Sequence, residues 1–197
     1  MNRPDIIVAL ETAVGCFEKL GIAYCIGGSV ASSAYGIARA TMDVDLIADI
    51  KMSQLNPLVQ ALQTHYYIDA EMVADAIRRS ASFNLIHLQT MIKLDVFILR
   101  QHPYHSEAFS RRKPDSLDAE NSRTFYIFSP EDIILSKLQW YQQGGAVSQQ
   151  QWKDVVGVLK VQGDKLNFEY LKHWASRLNL SDLLNRSFDD AGMTENA

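Results

Sequence analysis

Two aspartates one residue apart, Asp43 and Asp45 in "MDVDLIADI", are the best placed residues of this 197-residue chain to do chemistry. Residues i and i+2 of a strand project to the same side, so the two carboxylates point together. Side by side they repel unless a proton or a cation lies between them. Magnesium, which takes one or two carboxylates along with water and substrate phosphates, is a natural occupant. Taken alone, the pair is also what an exposed strand with two solvated acids presents, and that is the commoner case. The residues upstream shift the balance. In "YCIGGSVASSAYG", Gly27, Gly28 and Ser29 follow a short apolar strand and open a short helix, with Ser29 at its N-cap. Glycines permit close backbone approach, and the amides and hydroxyl at a helix N-terminus attract an anion. An ordinary tight turn before a helix reads the same way by itself. Together, a phosphate cradle and a metal-binding acid pair are the minimum equipment for nucleotide chemistry.

A third acid adds to this. Asp95 in "IKLDVFIL" lies on the strand face opposite Ile92, Leu94, Val96 and Ile98, flanked by Lys93 and Phe97. Burying an acid in so apolar a strand is costly unless it is paired or holds a metal. If this strand lies beside the Asp43 strand, three carboxylates converge. Otherwise Asp95 is a salt-bridged or solvent-facing strand residue.

The elements that must position these groups follow from periodicity. Ile6, Ile7, Leu10, Val14, Phe17 and Leu20 recur at helical spacing, and Gly21 stops that helix. "IAYCI" is a strand, "SVASSAYG" a short helix, and "MDVDLIADI" a strand in which Met42, Val44 and Leu46 alternate with Asp43, Asp45 and Ile47. A helix over 54–64, "YYID" and the helix "EMVADAIRRS" come next. "SFNLIHLQT" and "IKLDVFIL" form a hairpin closed near Gln89 and Thr90. "HSEAFSRRKPD" reads as a short helix and a loop, and "TFYIFS" as a strand. From Ser129 the character becomes helical. Ser129 is an N-cap, Pro130 fills the first turn, and Glu131 and Asp132 face the helix dipole. "DIILSKLQWY", "WKDVVGVLKV", "FEYLKHWASRL" and "SDLLNRSF" are helices, with "QQGGAVSQQQ" a polar loop and "DDAGMTENA" a frayed tail. The organisation is an α/β core over 1–128 followed by a C-terminal helical region over 129–197.

Composition bounds the partners. With 47% hydrophobic and 21% charged residues the chain can build a sizeable core. A net charge of −4 gives no support to a protein that grips long nucleic acid through phosphates, and the densest basic run is only Arg111 to Lys113. The two cysteines, Cys16 and Cys25, sit in apolar segments without metal-ligand spacing and read as free thiols of a reducing cytoplasm. The first twenty residues, with their acids and helical period, do not read as a signal peptide, and no apolar run is long enough to span a membrane.

The pattern "GGSVASSAYGIARATMDVDLI" resembles the signature of the nucleotidyltransferase superfamily that includes DNA polymerase beta and kanamycin nucleotidyltransferase. Thirteen residues separate Ser29 from Asp43, within that family's usual gap. More narrowly, "YGIARATMDVDL" and "SPEDIILSKLQWY…QWKDVVGVL" are similar to small bacterial proteins related to AbiEii-type toxins of abortive-infection systems. The resemblance implies an α/β (α+β) nucleotidyltransferase core, a small mixed sheet flanked by helices, with a C-terminal helical segment. It implies Mg2+-dependent transfer of a nucleotidyl group from an NTP to a hydroxyl acceptor. Asp43, Asp45 and Asp95 would hold metal, Asp95 alternatively acting as general base. Gly27, Gly28 and Ser29 would bind the β- and γ-phosphates, with Arg39 and Thr41 adding contacts or shaping the loop. Lys137 would steady the triphosphate or be a surface lysine; Asp154 would sit in the site or on a helix surface. Trp140, Tyr141 and Trp152 would line a base pocket or belong to the core. The acceptor would be a tRNA or other RNA end, with a cognate antitoxin as partner, or a small hydroxylated molecule such as an antibiotic. A third reading is a nucleotide-binding module without turnover.

Overall fold

The computed structural model describes residues 4–41, 43–117 and 123–193. The chain runs through α1 (Asp5–Lys19), β1 (Tyr24–Ile26), α2 (Gly28–Tyr35), β2 (Asp43–Ala48), α3 (Leu55–Leu62), β3 (Tyr66–Tyr67) and α4 (Ala70–Arg79). It continues through β4 (Ser82–His87), β5 (Lys93–Ile98), α5 (Pro103–Ser110), β6 (Lys113–Ser116) and β7 (Thr124–Ile127). Four helices close it: α6 (Pro130–Gln143), α7 (Gln149–Gln162), α8 (Phe168–Arg177) and α9 (Ser181–Ala191).

Among the described residues the strands form one seven-stranded sheet in the order β3-β4-β5-β2-β1-β7-β6. It is mixed: β2 runs parallel to β5 and β1 parallel to β7, while the other neighbours are antiparallel. The hairpin expected around Thr90 is present as β4 and β5. β1 is buried along its whole length, as a central strand covered on both faces must be. β2 and β5 alternate instead. Val44, Leu46 and Ala48, with Leu94, Val96 and Ile98, are buried, and the intervening residues are not. This two-residue alternation turns Asp43, Asp45, Lys93 and Asp95 to the face opposite the apolar core. Met42, placed with Val44 and Leu46 by the sequence, lies outside the described residues.

Three expected elements differ. The segment after α5, read as a loop, includes β6, an edge strand paired with β7; a Lys-Pro-Asp-Ser strand carries no apolar alternation and is tolerated only at an edge. α9 runs on through Asp189 and Asp190 to Ala191 where a frayed tail was expected, and Asp190 accepts a hydrogen bond from the Trp152 indole at 2.8 Å; the final residues 194–197 lie outside the described ones. Ser29 is not the N-cap of α2: Gly27 takes that place and Ser29 lies within the first turn.

The start of α6 follows expectation at its cap and departs from it at the acids. Ser129 accepts from the Asp132 amide. Glu131 and Asp132 do not merely face the helix dipole; both are buried, and Arg111 bridges them at 2.9 and 3.3 Å. The guanidinium also lies 3.8 Å over the Tyr170 ring, while the Tyr170 hydroxyl donates to Asp132 at 2.7 Å. α6 is thereby fixed to α8 and to the end of α5. Its register against the sheet, and hence the position of Lys137, is set by a fully partnered buried network.

Candidate active site

The turn from β1 into α2 is built against Asp45. The Gly27 amide donates to the Asp45 carbonyl at 2.9 Å, so the turn is stitched to β2 before any side chain is considered. Gly28 has φ +57, in the left-handed region, and a β-carbon there would overlap the Asp45 carboxylate. Both conditions select glycine. The Ser29 amide hydrogen-bonds the Asp45 side chain. The Gly-Gly-Ser turn and Asp45, one of the aspartate pair, are therefore in direct contact.

The parallel register places Asp45 directly opposite Asp95 and Asp43 directly opposite Lys93. Like charges facing each other across neighbouring strands are unfavourable. Burial raises the Asp45 carboxyl above the usual carboxylate range, and the Asp95 charge adds to it. Lys93, noted in the sequence only as a neighbour of Asp95, reaches Asp95 Oδ2 at 2.9 Å and Asp43 Oδ1 at 3.6 Å.

A cationic clamp stands beside the glycine turn. Asp154 Oδ1 and Oδ2 accept from Arg39 Nε and Nη2 at 3.1 and 3.2 Å, a two-pronged guanidinium contact. Lys137 Nζ donates to Asp154 Oδ2 at 2.7 Å and Gln150 to Oδ1 at 3.0 Å. Burial would raise the Asp154 carboxyl, but the hydrogen bonds from Arg39 and Lys137 outweigh it and hold it below the ordinary value. Arg39 Nη2 also donates to the Ser29 hydroxyl. One carboxylate thus orients two cations at the mouth of the glycine turn. Lys137 is 3% exposed, so it is not a surface lysine, and Asp154 at 9% is not a surface acid. Thr41 donates to the Asp43 carbonyl at 3.1 Å and shapes the loop entering β2.

A cavity of about 350 Å³ is lined by the Gly27–Ser29 turn, Asp45, Ile47, Phe97, Lys137 and Trp140, while Arg39 and Asp154 line a separate hollow. Trp140 is 53% exposed and meets the Phe97 ring edge-on at 6.0 Å. It belongs to the cavity wall, whereas Tyr141 is buried, lies outside that wall and meets the Trp152 ring at a tilt, centroids 5.1 Å apart. His105 also lines the cavity; burial, with help from His102 and Arg100, pulls its pKa down to about 4, leaving a neutral imidazole. His105, Phe97 and Gln150 carried no sequence signal of a site. Lys93 did: a basic residue two before Asp95 in a strand must share its face.

The acid set fits a divalent ion of the magnesium type. Among the described residues no three ligand-type side chains form a ready-made cage, and magnesium does not require one, since water and substrate phosphates complete its shell. The mutual repulsion of Asp45 and Asp95 is what such a charge would relieve. Asp45→Asn is therefore expected to stabilise the ligand-free protein at neutral pH. A folded-state pKa above the unfolded one favours folding at low pH, and the benefit is lost as pH rises between the two values. The amide ends that loss, so the melting temperature at pH 7 should rise by roughly 2–4 °C, corresponding to about 1 kcal/mol for a chain of this length. The gain should vanish near pH 3 in the same calorimetric scan.

No protein-family model matches the chain, and neither does any curated protein. Solved structures do. An antigenic nucleotidyltransferase-like protein from Paracoccidioides brasiliensis aligns with a TM-score of 0.59 at 18% identity, over 95% of this chain and 92% of that one. ANT(2")-Ia in complex with adenylyl-2"-tobramycin aligns with a TM-score of 0.60 at 12% identity, over 89% and 98%. The lincosamide antibiotic adenylyltransferase LnuA, lincomycin-bound, aligns at 0.52 and 13% identity, over 82% and 99%. At these identities the likeness is one of fold, and that fold is the nucleotidyltransferase fold the sequence signature implied. Among the described residues no helix is long and apolar enough to cross a membrane.

Proposed function

We propose that this chain is a nucleotidyltransferase that moves a nucleoside monophosphate from an NTP to a hydroxyl group. The observation that carries this reading is the direct contact of the Gly28–Ser29 turn with Asp45, faced by the Arg39–Asp154–Lys137 clamp. One acid, Asp45, and one cation, Lys137, line a single cavity together with the glycine turn, as a site for a metal-bound triphosphate would. On this reading residues 1–128 supply acids and turn, and the helical region from 129 supplies most of the clamp.

Lys137 and Arg39 hold the triphosphate, with the Ser29 hydroxyl oriented by Arg39. Asp43 and Asp45 would hold Mg2+, which when bound offsets charge on the phosphate oxygens, with Asp95 either a further ligand or the base. The acceptor oxygen forms a bond to the α-phosphorus, the bond to the bridging α–β oxygen breaks, and pyrophosphate leaves. The hydroxyl proton passes to a carboxylate, for which Asp95 is placed on the open strand face. Binding and alignment supply most of the catalysis in phosphoryl transfer, which suits a site made of fixed charges.

The acceptor we favour is an RNA end, the activity of a toxin whose cognate antitoxin would cover the site. A basic rim next to the cavity supports it: Arg79 and Arg100 line an adjoining hollow that shares Ser80, Arg100 and His105 with the main cavity. Such a rim repels a polycationic aminoglycoside and attracts phosphate. A small hydroxylated acceptor is the second reading, favoured by the size of the cavity itself. Incubation with labelled NTPs, Mg2+ and total RNA should label RNA, and Asp43→Ala should stop it. Label confined to an added aminocyclitol or lincosamide selects the second reading. Nucleotide binding with no acceptor ever labelled leaves only a binding module.

A further inference from the structure

The acid face carries a cation of its own. Lys93 is two residues before Asp95 on β5 and opposite Asp43 in the parallel register, so its side chain rises from the same face as all three acids. Its ammonium bridges the strands, 2.9 Å from Asp95 Oδ2 and 3.6 Å from Asp43 Oδ1. The side chain is 40% exposed. An ion pair so open to water adds little to stability, so folding alone is a weak reason for a lysine here. What the ammonium does is fill the position between Asp43 and Asp95 that a second divalent ion would need. An ion entering there would have to expel the lysine from its pair and then sit beside a like charge.

Resting on the nucleotidyltransferase reading, we infer that Lys93 takes the place of one of the two metal ions that acid clusters of this kind can hold. The site binds a single divalent ion, on Asp45 with Asp43, and Lys93 supplies the remaining positive charge. Asp95 then ligates no metal. Its Oδ2 is engaged by Lys93, and its other oxygen is left to receive the proton of the acceptor hydroxyl.

The test counts ions rather than turnover. Mn2+ is titrated into the full chain, held in excess over a non-hydrolysable NTP analogue, and free Mn2+ is followed by electron paramagnetic resonance. The wild type and Lys93→Arg should bind one Mn2+ per bound nucleotide. Lys93→Met should bind two, the second at least tenfold tighter than any second ion on the wild type. Lys93→Gln repeats the measurement should the methionine variant fold poorly, with far-UV circular dichroism as the check. Two ions on the wild type, or one on both neutral variants, overturns the inference and leaves the nucleotidyltransferase reading standing. A wild type that binds neither the analogue nor Mn2+ overturns both.

Discussion

Gly28→Ala is expected to abolish nucleotidyl transfer, with a loss of at least a thousandfold in kcat/KM and no measurable NTP binding by calorimetry. Two penalties meet at this residue. The left-handed backbone costs a residue with a β-carbon roughly 1–2 kcal/mol. The larger one is steric: the new methyl group would coincide with the Asp45 carboxylate. The chain can relieve that overlap only by moving the turn off β2 or by swinging Asp45 away, and either movement separates the phosphate side of the site from the acid side. Two other glycines separate these effects. Gly145 has φ +76 and open space around its missing β-carbon, so Gly145→Ala carries the backbone penalty alone and should melt slightly earlier with full activity. At Gly27 a β-carbon would come within 3.0 Å of Ile47 Cδ1, the end of a flexible side chain, and Gly27→Ala should lose activity only in part. Equal activity of the Gly28 and Gly145 variants would show that contact with Asp45 is not what the site needs.

The Gly28–Asp45 contact also shows what a sequence can and cannot reveal about such a site. The turn, the acid pair and the third acid were all legible, because strand alternation fixes the face on which each side chain rises. Their mutual placement followed once β5 lay beside β2, with Asp45 opposite Asp95. Asp154 and Lys137 were a different matter. They are seventeen positions apart on two helices, and periodicity alone could not say whether they meet. Only the docking of α6 against α7 brings them together, and the network through Arg111, Asp132 and Tyr170 that fixes α6 to α5 and α8 has no local signature either. Ser29 was misplaced as an N-cap for a related reason. Serine before a helix is ordinarily a cap, but here the cap position must be given to Gly27 so that Gly28 can lie against Asp45. Site geometry overrode local preference.

The second large effect is expected at the clamp. Lys137 is nearly sealed from water, and Asp154 is the partner that accepts its hydrogen bond. Removing one member of a buried pair leaves the other uncompensated, so Asp154→Leu should cost roughly 3–5 kcal/mol in urea unfolding. Replacing both with apolar residues of similar volume is often close to neutral. The double variant Lys137→Met with Asp154→Leu should therefore recover most of the lost stability, while Arg39, 30% exposed, can turn towards solvent. Activity should not follow stability. Without Lys137 the triphosphate loses a cation, and without Asp154 the Arg39 guanidinium loses its orientation, so transfer should stay at least a hundredfold down in the stable double variant. Acid titration provides a separate readout. The Asp154 carboxyl is held below its ordinary value, so its contribution to stability is complete above the unfolded pKa of about 4 and is lost as pH falls through the folded one. The wild type should lose that contribution on acidification below about pH 4, and the double variant, which lacks the carboxyl, should not. If the double variant is as active as the wild type, the clamp is a packing device and the triphosphate is held elsewhere. If it is stable and inactive, one buried carboxylate organises the two cations on which the nucleotide depends.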